Sequence, residues 1–209
     1  MTKKVRRLKT WPIVTLFCFI IFGILIYCLC DIYNSLKGNT KGVKVLNEIE
    51  DYGYTLNDND SKLVSSNFSK LKDVLSSDIV DDEKYATYIS IIFAADFYSL
   101  DNALSKNDVG GIQYIYSDKQ NEFKIQAKNT IYKYVESNIY GDRKQELPVV
   151  SDVTVDNITS KLYTSSLVTD AKAYYVDLTI SYEKDLDYPK NASLIIVHED
   201  NKLSIVSVK

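Results

Sequence analysis

The feature that most constrains this chain is an uncharged run from Trp11 to Cys30, WPIVTLFCFIIFGILIYCLC. Twenty residues rising about 1.5 Å each in a helix span about 30 Å, the hydrocarbon thickness of a bilayer, so the run reads as one membrane crossing. Trp11 at one end and Tyr27 with Tyr33 at the other suit the two headgroup layers, and Pro12 falls in the first turn, where a missing N–H costs little. Lys3, Lys4, Arg6, Arg7 and Lys9 precede the run, and the positive-inside bias makes residues 1–10 a short cytoplasmic tail, with residues 11–30 in contact with lipid. A cleaved signal peptide needs small side chains at its exit, where this chain has Tyr27, Leu29 and Ile32. A lipobox fails for the same reason, since Tyr27 and Leu29 precede Cys28 and Cys30.

Charge divides along the same line. Residues 1–30 hold five basic and no acidic side chains, leaving 20 basic against 28 acidic residues beyond them. A surface of that sign repels phosphate backbones, so nucleic acid is not an expected partner. All three cysteines, Cys18, Cys28 and Cys30, lie within the apolar run, so the remainder has no thiols for a disulfide framework. With 45% apolar and 25% charged residues, the chain has the usual mixture of a packed globular protein.

Residues 31–44 include NSLKGNTKGVK, whose two glycines and lack of large aromatics mark a linker. Residues 45–209 are then one extracytoplasmic α+β domain, helical over 45–141 and sheet over 147–209. Asp60 is the expected N-cap of a helix carrying Val64, Phe68, Leu71 and Leu75 on one face. A second helix begins after Asp81 or Asp82 and runs a stripe from Tyr85 through Ile89, Ile92, Phe93, Phe97 and Leu100 to Leu104, until SKNDVGG breaks it. Ser117 and Gln120 have capping-box spacing for a third, with Phe123, Ala127, Ile131, Tyr134 and Val135 facing inward and an end near Asn138 to Gly141. From Leu147 the period changes to two. Tyr174, Val176, Leu178, Ile180 and Tyr182 share one face of a strand, Val149 to Val155 alternates similarly, and Glu199–Asp200–Asn201 joins a terminal hairpin. Helices followed by strands give about three helices packed on an antiparallel sheet of three or four strands.

Candidate chemistry is sparse. His198 stands alone at a strand end, and without cysteine or a second histidine it cannot build the usual metal site or find a nucleophile elbow, so neither a metal, a cofactor nor catalysis is expected. Ser69-Lys70-Leu71-Lys72 matches S-x-x-K without its companion motifs. Asp58-Asn59-Asp60 resembles the start of a calcium loop, but Leu63 and Ser69 occupy the positions that need glycine and glutamate. Asp96 is the residue of interest, because it falls within an apolar stripe where an unpaired carboxylate is costly. It either accepts backbone N–H groups from the following loop, where Gly110 and Gly111 permit close approach, or acts as a ligand-orienting or acid-base carboxylate in a pocket, or lies exposed at the stripe's edge.

The stretch DDEKYATYISIIFAADFYSLDNALSKNDVGGIQYIYSD, with TIYKYVESNIYG, resembles a group of small single-pass membrane proteins of Gram-positive bacteria to which no activity is attached. The order of basic tail, membrane helix, helices and antiparallel sheet is similar to that of the cystatin-like or nuclear-transport-factor-like domains in scaffolds of type IV secretion and conjugation. That resemblance implies a non-catalytic scaffold or interaction subunit of a cell-envelope assembly, whose partners are other membrane or envelope proteins. The alternative is an extracytoplasmic sensor that binds a small ligand or wall fragment.

Overall fold

A computed structural model describes residues 44–209 and, before them, only Ile26. The expected tail, membrane helix and linker, up to residue 43 and apart from Ile26, lie outside the described residues, among which no helix is long and apolar enough to cross a membrane. Residues 42–209 cluster as one unit. The described chain is α+β, with three α-helices followed by a four-stranded antiparallel sheet.

The domain begins with a hairpin in a region the sequence reads as helical. Strands β1 (Val45–Ile49) and β2 (Tyr54–Asn57) pair antiparallel around a 3-10 turn, closed by Gly53 at φ 66°. Only Tyr54 and Leu56 alternate inward on β2, too short a pattern to outweigh the helical context. Tyr54 locks the hairpin to the core. Its hydroxyl donates to the Leu203 carbonyl at 3.0 Å and meets the Tyr85 hydroxyl at 2.7 Å, which in turn accepts the Leu203 N–H at 3.1 Å. Burial pushes the Tyr54 hydroxyl well above its ordinary pKa.

Helix α1 (Lys62–Leu75) is capped by Ser61, whose Oγ accepts the Val64 N–H, and not by Asp60. The Asp60 carboxylate turns back instead to accept the Asn57 N–H at 2.6 Å, closing the turn after β2. Helix α2 (Asp82–Phe97), capped by Asp81, is apolar on nearly every side because it lies between α1 and strands β3 and β4. It stops well before Leu104. Ser99 leaves the helix to accept the Val150 N–H, and Leu100 donates to the Pro148 carbonyl, so bonds to the strand region replace further helical ones. Leu104 is consequently 41% exposed.

Helix α3 (Gln120–Asn129) follows a 3-10 turn, and its expected capping box does not form. The Ser117 N–H goes to Glu199, and the Gln120 amide goes to the Ile115 carbonyl. The helix also ends nearly three turns early. After Thr130 the chain tightens so that Tyr132 N–H and Thr130 N–H both reach the Ala127 carbonyl. Tyr132 is thereby buried, while Tyr134 is 74% exposed.

Strands β3 (Val150–Thr164), β4 (Thr169–Tyr182), β5 (Asn191–Glu199) and β6 (Lys202–Val208) form a meander in sequence order. Val176, Leu178 and Ile180 of β4, with Leu194, Ile196, Leu203 and Ile205, face the main core. Pairing of β4 with β5 begins at Tyr174, so Thr169–Ala173 pairs only with the end of β3, and these two strand ends with the turn between them form an arm. The arm supplies Tyr163, Val168 and Ala173 to a second, smaller apolar cluster with Val197 and Val206. Those strand neighbours alternate with core-facing residues, so this cluster lies on the opposite face of the sheet.

Candidate functional site

Asp96 sits in the last turn of α2, half-buried, facing the loop between α2 and α3. Its Oδ2 accepts the Gly111 N–H at 2.7 Å, and the neighbouring Gly110 N–H is taken by the Tyr132 hydroxyl at 3.1 Å. That hydroxyl donates onward to the Phe97 carbonyl at 2.8 Å. The approach is close enough to require both glycines. A Cβ on Gly110 would lie 2.6 Å from the Asp96 carbonyl oxygen, and one on Gly111, at φ 74°, would lie 2.7 Å from the Phe93 ring. Burial pushes the Asp96 carboxyl up to about 6, and the charges of Asp60 and Asp108 add to that, although the Gly111 bond opposes it.

These groups line a cleft of about 360 Å³ between the turn after β2 and the loop. Gln113 ties its walls together, because its amide oxygen accepts the Thr55 N–H at 2.9 Å and its amide nitrogen donates to the Thr55 carbonyl at 3.0 Å. Asp60, Asp96 and Asp108 each commit one oxygen to a backbone N–H, of Asn57, Gly111 and Leu104 respectively. No basic side chain lines the cleft among the described residues. Its electrostatics suit a neutral polar or cationic ligand and oppose an anion. Among the described residues no cluster of three or more histidine, cysteine or carboxylate side chains is disposed to hold a metal.

The other sequence candidates fall in structural roles or elsewhere. The Ser69 hydroxyl bonds the Ser65 carbonyl within α1, and the Lys72 ammonium bonds Asn47 and the Glu48 carbonyl on β1. Asp58 holds the Lys44 N–H. His198 is far from solitary, since it bonds Asp170 and approaches Asp82. Sequence reasoning singles out Asp96, Gly110 and Gly111 but misses Tyr132 and Gln113. Neither carries a local signal, because the early end of α3 and the β1–β2 hairpin bring them to the cleft.

The fold and site thus define an α+β domain with an acidic, polar cleft beside its central helix. Comparison with protein families, with curated proteins and with solved structures finds no match for this chain.

Proposed function

We propose that the chain is a membrane-anchored, non-catalytic scaffold or protein-interaction subunit of a bacterial cell-envelope assembly, with residues 11–30 in the membrane and the α+β domain outside. The observation that carries this reading is a half-used sheet edge. The chain before α3 reaches the outer edge of β6 at one point, where Ile115 bridges Ile205 in parallel and the Tyr116 N–H donates to the Ile205 carbonyl. It then turns away into α3, and beside Val206–Val208 a groove of about 160 Å³ opens, lined by Ile115, Phe123 and Gln126. An extended partner segment continuing the line of Ile115 gains strand hydrogen bonds and seats its alternate side chains against Phe123. The finer fold assignment, a cystatin-like or nuclear-transport-factor-like layout, belongs to the same proposal and is supported by α2 packed on β3 and β4 of an antiparallel meander, with α1 packed on α2.

A photo-crosslinker at Gln126 or Ser207, activated in cells, tests the reading. Recovery of membrane or envelope proteins at high occupancy is the expected result, and recovery of none refutes it. Tags at the two termini check the orientation, with the N-terminal tag protected from external protease and the C-terminal one digested. A second reading, a sensor or binding protein for a small ligand or wall fragment, draws on the cleft around Asp96. It requires that a wall fragment raise the melting temperature of the wild type and not of a variant altered at Asp60 or Asp108.

A further inference from the structure

His198 lies at the junction of β5, the arm and the first turn of α2. From β5 its N–H donates to Asp170 Oδ2 at 2.8 Å, and its ring Nδ1 lies 2.8 Å from the same oxygen. The opposite ring nitrogen, Nε2, lies 3.5 Å from Asp82 Oδ2 in the first turn of α2. Asp170 belongs to the arm of β4, at the point where the arm has parted from β5, so its carboxylate replaces a strand partner for His198. Its other oxygen accepts the Lys172 N–H.

A neutral imidazole has one N–H donor and one lone pair. With the proton on Nδ1 it bonds Asp170 and turns a lone pair toward the Asp82 carboxylate. With the proton on Nε2 it serves Asp82 and sets a lone pair 2.8 Å from the Asp170 oxygen. Only the doubly protonated ring meets both carboxylates with donors. We propose that His198 is a pH-operated latch, which in its cationic form ties the start of α2 to the β3–β4 arm and releases the α2 side when it becomes neutral.

The neighbouring charged groups are mainly acidic. Helix α2 contributes Asp81, Asp82 and Glu83, with Lys84 held on Asp81 at 2.9 Å. The arm contributes Asp170 and Lys172, and the β5–β6 hairpin contributes Glu199 and Lys202, the former occupied by the Ser117 N–H. Tyr174, whose ring lies 6.3 Å from that of His198, registers the same acidic surroundings, for its hydroxyl is pushed up by burial and then by Asp82, Glu83, Asp81 and Asp170. Protonation of the carboxylates ends the tie on the acid side, and bonds from His198 and Lys172 hold the Asp170 carboxyl below its usual range against the effect of its burial.

The test uses the full-length protein in detergent micelles. His198 is the sole histidine, so histidine labelled with nitrogen-15 gives one imidazole whose two nitrogens report protonation directly. Hydrogen-exchange protection of the arm amides over residues 169–173 is measured alongside, at pH 8 and pH 5.5, and corrected for intrinsic exchange. In the wild type arm protection should be about two- to fivefold higher where the nitrogen-15 signals show both ring nitrogens protonated than where they show one, the range for a partly exposed ion pair. His198→Asn keeps a donor toward Asp170 but has no cationic form, and Asp82→Asn removes the second carboxylate at an exposed position. In both variants the pH-dependent gain should vanish. A wild-type arm equally protected in the two protonation states of the ring, or a gain that survives in either variant, overturns the latch.

Discussion

Replacing Asp96 by Asn isolates the charge at the centre of the cleft, since the amide keeps a carbonyl oxygen to accept the Gly111 N–H and nearly the same volume. The folded carboxyl is raised to about 6 from 3.8, mainly by burial. Between these values the folded state holds a proton that the unfolded chain has released, so stability falls as pH rises through this interval. A shift of that size corresponds to roughly 3 kcal/mol at pH 7, and to less than about 1 kcal/mol at pH 4. Asp96→Asn should therefore be more stable than the wild type at pH 7, with a melting temperature about 5–10 °C higher for a domain of this size, and nearly equal to it at pH 4. Asp96→Ala removes the acceptor as well, leaving the Gly111 N–H unpaired at a cost of about 1–3 kcal/mol. It should lie near the wild type at pH 7 and below it at pH 4. Circular dichroism melts of the three proteins at both pH values separate the effects. An Asp96→Asn variant that is less stable at pH 7, or a gap that does not change with pH, refutes the argument that burial dominates at this site.

The remaining predictions concern the scaffold around the cleft. Gly111→Ala should lose about 2–4 kcal/mol in a urea titration, from a left-handed φ and a Cβ driven against the Phe93 ring. Tyr132→Phe leaves the Gly110 N–H and the Phe97 carbonyl without partners and should lower stability by about 1–3 kcal/mol, measured the same way. Ser61→Ala should lower the melting temperature by the equivalent of about 1 kcal/mol, because Ser61 and not Asp60 caps α1.

Elements with long, consistent periodicity were legible in the sequence. The face of α1, the middle of α2 and the alternation of β4 follow from spacing, because each runs for several repeats, and the β5–β6 turn follows from the turn chemistry of Glu199–Asp200–Asn201. At the ends of α2 and α3 the failures share a cause, which is a backbone group taken by a distant partner. Ser99 and Leu100 leave α2 for residues 148–150, and the Ser117 N–H is drawn to Glu199, partners outside the window that a local pattern scans. At α1 the competitor is local, since Asp60 turns back to the Asn57 N–H three residues earlier and leaves the cap to Ser61. The same limit applies at the cleft, where Asp96 and the glycine pair were visible through their misfit with the stripe, while Gln113 and Tyr132 are placed by tertiary turns.

The cleft and the β6 edge are joined by a very short piece of chain. Gly110, Gly111 and Gln113 line the cleft, and two residues after Gln113 Ile115 reaches Ile205 on the outer edge of β6. Tyr114 between them is fully buried beneath Tyr54, with ring centroids 5.1 Å apart, so the segment cannot shift at one end without moving a packed aromatic ring. A ligand that reorders the Asp96–Gly111 contact would therefore change the backbone presented to a strand on β6, and by linkage that strand would change affinity for the ligand by the same factor. The two functional readings then cease to be exclusive, and the discriminating measurement is the coupling itself. A partner peptide bound equally well by the wild type and by Asp96→Asn at pH 7 would separate the cleft from the edge and leave the scaffold reading to stand on the edge alone.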